Sequence, residues 1–315
     1  VKRNVFVVML ASLVGTGACK QAPPTPSQVT QSTHEDSAAT KVDPWQKTAR
    51  KRDPLKHPLF WSITKDGKTT YALGTMHIGV DAETQLPQLV WDKLDKAKRF
   101  AMETDLGDPS LAGMGKRTSG TLHDDLGPVY WQKLQDLITP EMARGVDHMK
   151  PMIPATLLSL RGLPSTPPMD GVLLGRATNQ KKELVYLEAA SKQAVVLEKW
   201  MDLRVLKMML DDPDKGITTS KKMLAAYIEG DEAKIVEISD SEKADALTHG
   251  FTAAEYDAEM ADILYDRNAS WIEPIEKLHA AGDAFIAVGA LHLLGKRSVL
   301  DLLAAKGYIV TRLVP

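Results

Sequence analysis

With 315 residues, 43% of them hydrophobic and 25% charged, the chain has the material of one large globular domain or two small ones. Its 39 basic and 41 acidic side chains leave a net charge of −2, so there is no electrostatic case for a nucleic-acid partner. A single cysteine excludes an intrachain disulfide and a cysteine-rich zinc site.

The beginning of the chain reads differently from the rest. Lys2 and Arg3 precede an almost unbroken apolar run from Val5 to Val14, and Gly15 to Ala18 are small. That is the layout of a secretory signal over residues 1–18. Cys19 directly after the small residues is similar to the lipobox of bacterial lipoproteins, although Thr16 stands where Leu or Val is usual. The expectation is export, lipidation of Cys19 and anchoring to the bacterial cell envelope, at the periplasmic face or outer membrane. Lys20 after the cysteine favours the outer membrane. The segment 19–53 is rich in Pro, Ser, Thr and Gln and reads as a flexible tether, with the folded domain over 54–315. No later apolar run approaches the ~18 residues of a membrane span.

In chain order, Leu59–Thr64 and Thr69–Thr75 alternate around Lys65-Asp66-Gly67-Lys68, which predicts a hairpin. Pro87 opens a helix through Lys98 with Leu89, Val90, Leu94 and Ala97 as its buried stripe. Phe100–Leu106 reads as a strand and Gly107–Gly120 as a loop. Helices are predicted over Leu122–Ile138, Pro140–Met149, Pro151–Leu160, Met169–Gln180 and Ser191–Leu210. More follow over Thr218–Glu229, Glu232–Ser239 and Ala253–Ala281, with a short strand at Glu183–Leu187. Strand, helix and strand close the chain at Ala284–Ala290, Lys296–Lys306 and Tyr308–Leu313. Strands at both ends around a helical middle predict an α/β to α+β domain: a central mixed sheet with a large helical insertion.

Two segments share a form: Tyr71-Ala72-Leu73-Gly74-Thr75-Met76-His77-Ile78-Gly79 and Ala287-Val288-Gly289-Ala290-Leu291-His292-Leu293-Leu294-Gly295. Each is a hydrophobic strand ending in Gly-x-x-His. Ligands gather beyond the carboxyl ends of strands, and glycines such as Gly74 and Gly289 let backbone pass close to them. A neutral imidazole there can ligate a metal. Alternation from Phe100 to Asp105 places Glu103 and Asp105 on one strand face near its carboxyl end. Two imidazoles and one carboxylate form a recurring catalytic set for a divalent metal, leaving a position for water. Glu103 could instead serve as general base.

The order and spacing of Gly74-Thr75-Met76-His77, Met102-Glu103, Met169-Asp170, Tyr186-Leu187-Glu188, Tyr227-Ile228-Glu229-Gly230-Asp231, Asp266-Arg267-Asn268-Ala269-Ser270-Trp271 and Val288-Gly289-Ala290-Leu291-His292-Leu293-Leu294-Gly295 resemble the TraB/PrgY/GumN family from about Trp61 to Leu313. The resemblance implies a fold related to the Tiki-type metalloproteases and the erythromycin esterase and ChaN group. It also implies manganese- or cobalt-dependent peptide cleavage, with Mn or Co favoured over Zn. His77, Glu103 and His292 inherit the ligand roles, and Arg267 and Asn268 a part in substrate binding or oxyanion stabilisation. Leu291 stands where the family often has glycine, which narrows the pocket.

Asp170 and Glu188, at element ends, read as caps or as partners that orient the ligands. His123, His148, His249 and His279 have no companion motif, and the thirteen methionines read as core filler. No His-Glu-x-x-His, Gly-x-Ser-x-Gly or Walker loop occurs. The expected function is therefore a membrane-tethered metal-dependent hydrolase of peptide or protein substrates. The alternative is a lipoprotein of the same fold that binds a peptide signal or haem without turnover. The sequence leaves the oligomeric state open.

Overall fold

The structure, a computed structural model, describes residues 53–105 and 107–315. The expected signal, Cys19 and the tether up to residue 52 lie outside the described residues. The hairpin comes first, β1 (Phe60–Lys65) and β2 (Lys68–Thr75), paired from Phe60 with Leu73 to Lys65 with Lys68. Its turn residues Asp66 and Gly67 have φ of 49° and 71°, the left-handed pair that matches the twist of a tight hairpin and that Asp-Gly tolerates. Helices α1 (Ala82–Gln85) and α2 (Gln88–Lys96) lead into β3 (Arg99–Met102).

The middle begins with α3 (Leu122–Ile138), α4 (Pro140–Val146), α5 (Met152–Ser159) and α6 (Met169–Asn179), and then the strand β4 (Glu183–Tyr186). It continues through α7 (Ala190–Trp200), α8 (Leu203–Asp211), α9 (Pro213–Glu229), α10 (Glu232–Thr248) and α11 (Ala253–Met260). A π turn over Ala261–Tyr265 runs into α12 (Asp266–Ala281). The chain closes with β5 (Ala284–Gly289), a short 3₁₀ turn (Ala290–His292), α13 (Val299–Ala305) and β6 (Ile309–Arg312).

The six strands form one sheet in the order β4-β3-β5-β2-β1-β6. The β2–β5, β5–β3 and β3–β4 pairs are parallel, and β1 runs against both β2 and β6. This is the expected mixed sheet of strands from both ends of the chain, joined at one edge by β4 from the helical middle. β5 is buried at every residue, which explains its unbroken apolar run: both faces are covered. Phe100, Phe285 and Tyr71 lie in register across three strands, and Phe285 also meets Phe60 with ring centroids 5.7 Å apart. Because β5 lies between β2 and β3 and parallel to both, the carboxyl ends of those three strands become neighbours. Thr75 is level with Gly289, and Met102 with Ala287. Among the described residues no helix is long and apolar enough to cross a membrane.

Several expected boundaries move. β3 stops at Met102, so Glu103 and Asp105 do not share a strand face; Asp105 accepts the Gly107 N–H in a local turn at 2.9 Å. In α2 the buried residues are Val90, Trp91 and Leu94, with Leu89 only half-buried. The helix predicted over Ser191–Leu210 is two helices, because Asp202 caps the second by accepting the Val205 N–H at 2.9 Å. Ala253–Ala281 is broken by the π turn, and α3 kinks at Gly127 (φ 71°) ahead of Pro128. α10 runs to Thr248, beyond the expected Ser239.

Candidate functional site

The first motif leaves β2 at Gly74 and Thr75. Its backbone is pinned from the helical layer: Tyr227 of α9 donates to the Gly74 carbonyl at 2.7 Å, and the Met169 N–H donates to the His77 carbonyl at 3.0 Å. Asp170 lies in the first turn of α6, where the helix dipole favours a carboxylate. One of its oxygens accepts from Thr75 Oγ1 at 2.8 Å and the other from His77 Nδ1. The imidazole is thereby fixed with Nδ1 on the helix side and Nε2 on the side of the strand ends.

The second motif is arranged in parallel fashion from β5. Asn268 of α12 donates Nδ2 to the Arg297 carbonyl at 2.9 Å, which orients its Oδ1 to accept from His292 Nδ1 at 2.7 Å. His292 Nε2 then carries the lone pair. It accepts from Arg267 Nη1 at 3.2 Å and lies 3.8 Å from Glu103 Oε1. Trp271, one helical turn after Arg267, packs on the His292 ring with centroids 4.4 Å apart.

Glu103 joins the two halves. Its Oε1 accepts the Gly289 N–H at 2.8 Å, and its Oε2 accepts from Arg267 Nη2 and Gln193 Nε2, each at 2.8 Å. Arg267 also donates Nε to Glu188 Oε1 at 2.8 Å and Nη1 to the Ile263 carbonyl of the π turn at 2.9 Å.

Gly289 is the geometric centre. A Cβ placed there would stand 3.2 Å from Glu103 Oε1, 3.6 Å from His77 Nε2 and 3.6 Å from His292 Cδ2. The two histidines and the glutamate thus converge on one point, at a strand position that carries no side chain. Among the described residues, however, no three His, Cys, Asp or Glu side chains stand as tightly as an ion requires, and Arg267 and the Gly289 N–H hold the facing atoms of Glu103 and His292.

The site is nearly closed to solvent, with Arg267 1%, His77 2%, His292 4% and Glu103 6% exposed. Burial therefore weighs heavily on each charge, and neighbours decide the outcome. Burial opposes a proton on His77, but the charge and hydrogen bond of Asp170, with Glu103 behind them, raise its pKa above 6.5. Burial pushes His292 down to about 3, against the pull of Glu103 and with Arg267 and His77 adding. For Glu103 burial works upward, and the imidazoles, Arg267 and the Gly289 N–H overcome it to hold the carboxyl at about 2. Glu188 is raised by burial despite Arg267.

His77, Glu103, His292, Arg267, Asn268, Asp170 and Glu188 thus fall into one connected cluster, although they come from six separate stretches of sequence. Gly74 has another setting: a Cβ there would meet Ala290 Cα at 3.1 Å and Leu59 Cβ at 3.3 Å, so it serves close packing of strand on turn. Sequence reasoning missed Gln193, Thr75 and the stacking of Trp271. Thr75 sits inside the motif itself, whereas nothing in α7 singles out Gln193. His279, buried, bridges Thr70 and the Lys65 carbonyl toward the other end of the strands and is structural. A surface cleft of about 740 Å³ touches the tail of the second motif at Leu294 and Gly295.

Compared with known proteins, residues 59–312 match the family model described as the TraB/PrgY/gumN family. No curated protein and no solved structure matches the chain.

Proposed function

The chain belongs to the TraB/PrgY/gumN family, and from that premise we propose that it is a divalent-metal-dependent hydrolase of peptide substrates, held to the bacterial envelope through Cys19. His77, Glu103 and His292 would hold the metal, with Mn or Co favoured. The observation that carries this reading is the matched arrangement of the two imidazoles. Each has Nδ1 fixed by a side-chain acceptor, Asp170 or Asn268, and each turns its other edge toward the point above Gly289. A second partner that sets tautomer and ring orientation is the usual companion of a metal-bound histidine. The donor set fits the metal by type, although among the described residues no three of these side chains stand as close as an ion requires.

When bound, the metal would supply an acidified water and polarise the scissile carbonyl. The chain's own residues account for the rest. Asp170 and Thr75 hold the first imidazole, and Asn268 and Trp271 hold the second. Glu103, anionic at any ordinary pH, offers a carboxylate already desolvated. Arg267 balances the negative charge of Glu103 and Glu188 where little solvent reaches them.

A second reading, binding of a peptide or haem without turnover, draws support from the spacing of the site: among the described residues no three His, Cys, Asp or Glu side chains stand as tightly as an ion requires. One experiment separates the two. The purified chain is analysed for bound metals and assayed for peptide cleavage with added Mn²⁺ or Co²⁺, beside His292→Ala. The proposal expects bound metal and cleavage in the parent and loss of both in the variant. Binding without cleavage would favour the second reading, and equal metal content in His292→Ala would remove His292 from the site.

A further inference from the structure

The cleft of about 740 Å³ that touches Leu294 and Gly295 is built on α10. Ala233, Val236, Glu237 and Asp240 recur three and four residues apart and form one stripe of that helix. The opposite stripe, with Ile235, Ile238 and Ala246, faces the core. The cleft combines apolar Ala233, Val236 and Leu294 with Glu232, Glu237 and Asp240, three carboxylates and no cation. Arg312 answers Glu232, but Glu237 has only an exposed pair with Lys234 on its own helix. Asp240 has no ion pair among the described residues.

The chain itself holds the complement. Lys47, Arg50, Lys51 and Arg52 put four cations into six residues, and no acid stands between Pro44 and Arg52. These residues come just ahead of Asp53, where the described chain begins. From there the chain passes the end of the cleft. The Leu55 N–H donates to the Gln85 carbonyl at 2.7 Å, and His57 lies against Gly230, where an added Cβ would stand 2.6 Å from His57 Cβ. Arg312 donates to the His57 carbonyl at 2.9 Å and also pairs with Glu232, so one side chain spans from the entering chain to the cleft. Length decides whether the basic run can reach. Lys51 stands four residues before Leu55 and Lys47 eight, about 13 and 27 Å of extended chain. Glu237 and Asp240 lie only about 8 and 12 Å along α10 from Glu232.

We propose that the basic run 47–52 docks in the α10 cleft of its own chain, its cations on Glu237 and Asp240 and their aliphatic stems along Val236 and Leu294. This docking does not depend on the metal-centre reading. It leads the tether out across the turn that follows His292. A Cβ on Gly295 would meet Val236 Cγ2 at 3.6 Å, so the occupied cleft and the second motif share a wall. The face by which the tether leaves the domain is thereby set by charge.

The test is zero-length carbodiimide cross-linking of the intact chain, read by mass spectrometry of the monomer, with limited trypsin digestion as the second measurement. Lys47 or Lys51 should be found joined to Glu237 or Asp240, with a yield that falls at least about fivefold in roughly 0.5 M NaCl. Trypsin should cut after Arg50, Lys51 or Arg52 about fivefold faster in the double variant Glu237→Gln and Asp240→Asn, which leaves the run without its partners. Both positions are exposed, so the variant keeps the fold. No link from either lysine to Glu237 or Asp240 overturns the proposal, as do links spread evenly over other exposed acids such as Glu83 and Glu229. Links found only in dimers overturn it too, and assign the cleft to the basic run of a second copy. Equal trypsin rates in parent and variant overturn it as well.

Discussion

The two Gly-x-x-His motifs look alike in sequence and end the same kind of strand, yet they build opposite electrostatic settings. His77 is paired with a carboxylate, Asp170, and holds its proton more firmly than an ordinary histidine. His292 is paired with a neutral amide, Asn268, and burial, with the facing guanidinium adding, pushes it down to about 3, so it stays neutral. Their glycines differ as well. Gly74 lets a turn press on a strand, while Gly289 keeps open the point where the charged side chains meet. A motif specifies where an imidazole stands, and its partners from distant helices specify what that imidazole can do.

Glu103 ties the two halves together, so its loss should have the largest effect. Glu103→Ala leaves the buried Gly289 N–H and Gln193 amide without an acceptor and Arg267 with a single carboxylate. Breaking one side of a buried ion pair costs about 3–5 kcal/mol, and urea denaturation should show a loss in that range. A loss below about 1 kcal/mol, the scale of an exposed pair, would mean that the halves are stable without their link.

The glycines give the next test. Gly74→Ala drives a methyl against Ala290 Cα and should cost about 1–3 kcal/mol through overpacking. Gly289→Ala suits its backbone, with φ −52° and ψ 136°, and meets only side-chain atoms at 3.2 Å or more. It should cost about 1 kcal/mol or less and yet abolish metal retention and cleavage, because the methyl fills the shared point. Normal metal content in Gly289→Ala, measured on the folded variant, would show that the site's centre lies elsewhere.

The hairpin, the central strand and both motifs were legible in the sequence because each is local: Asp66-Gly67 dictates its turn, and β5 is apolar throughout because both its faces are covered. The helical middle was legible in kind and less so in boundaries. Asp202 reads as a possible cap only once the chain is known to break there, and a π turn at Ala261–Tyr265 leaves no distinct mark on side-chain periodicity. The strand assignment for Glu103 and Asp105 failed because alternation persists in sequence for a few residues after pairing ends. The connections of the site were not legible for a related reason. Asp170 meeting His77, or Gln193 meeting Glu103, depends on how separate helices lie across the strand ends, and no spacing rule encodes that.

The smallest effect expected is a change in titration that leaves the fold intact, and it tests the comparison most directly. Asp170→Asn gives the first imidazole the kind of partner the second has, and Asn268→Asp does the reverse. Nuclear magnetic resonance of the ring protons should show His77 titrating above 6.5 in the parent and lower in Asp170→Asn, with His292 rising in Asn268→Asp. The signs for stability follow. His77, raised on folding, contributes stability that is fully present below 6.5 and is lost as the pH climbs through its raised value. His292, depressed on folding, contributes stability present above 6.5 that is lost as the pH falls from there toward about 3. Asp170→Asn should therefore flatten the alkaline side of the stability profile, and Asn268→Asp the acid side. If each substitution shifts both imidazoles equally, the settings are not local to each motif and the contrast drawn between them collapses.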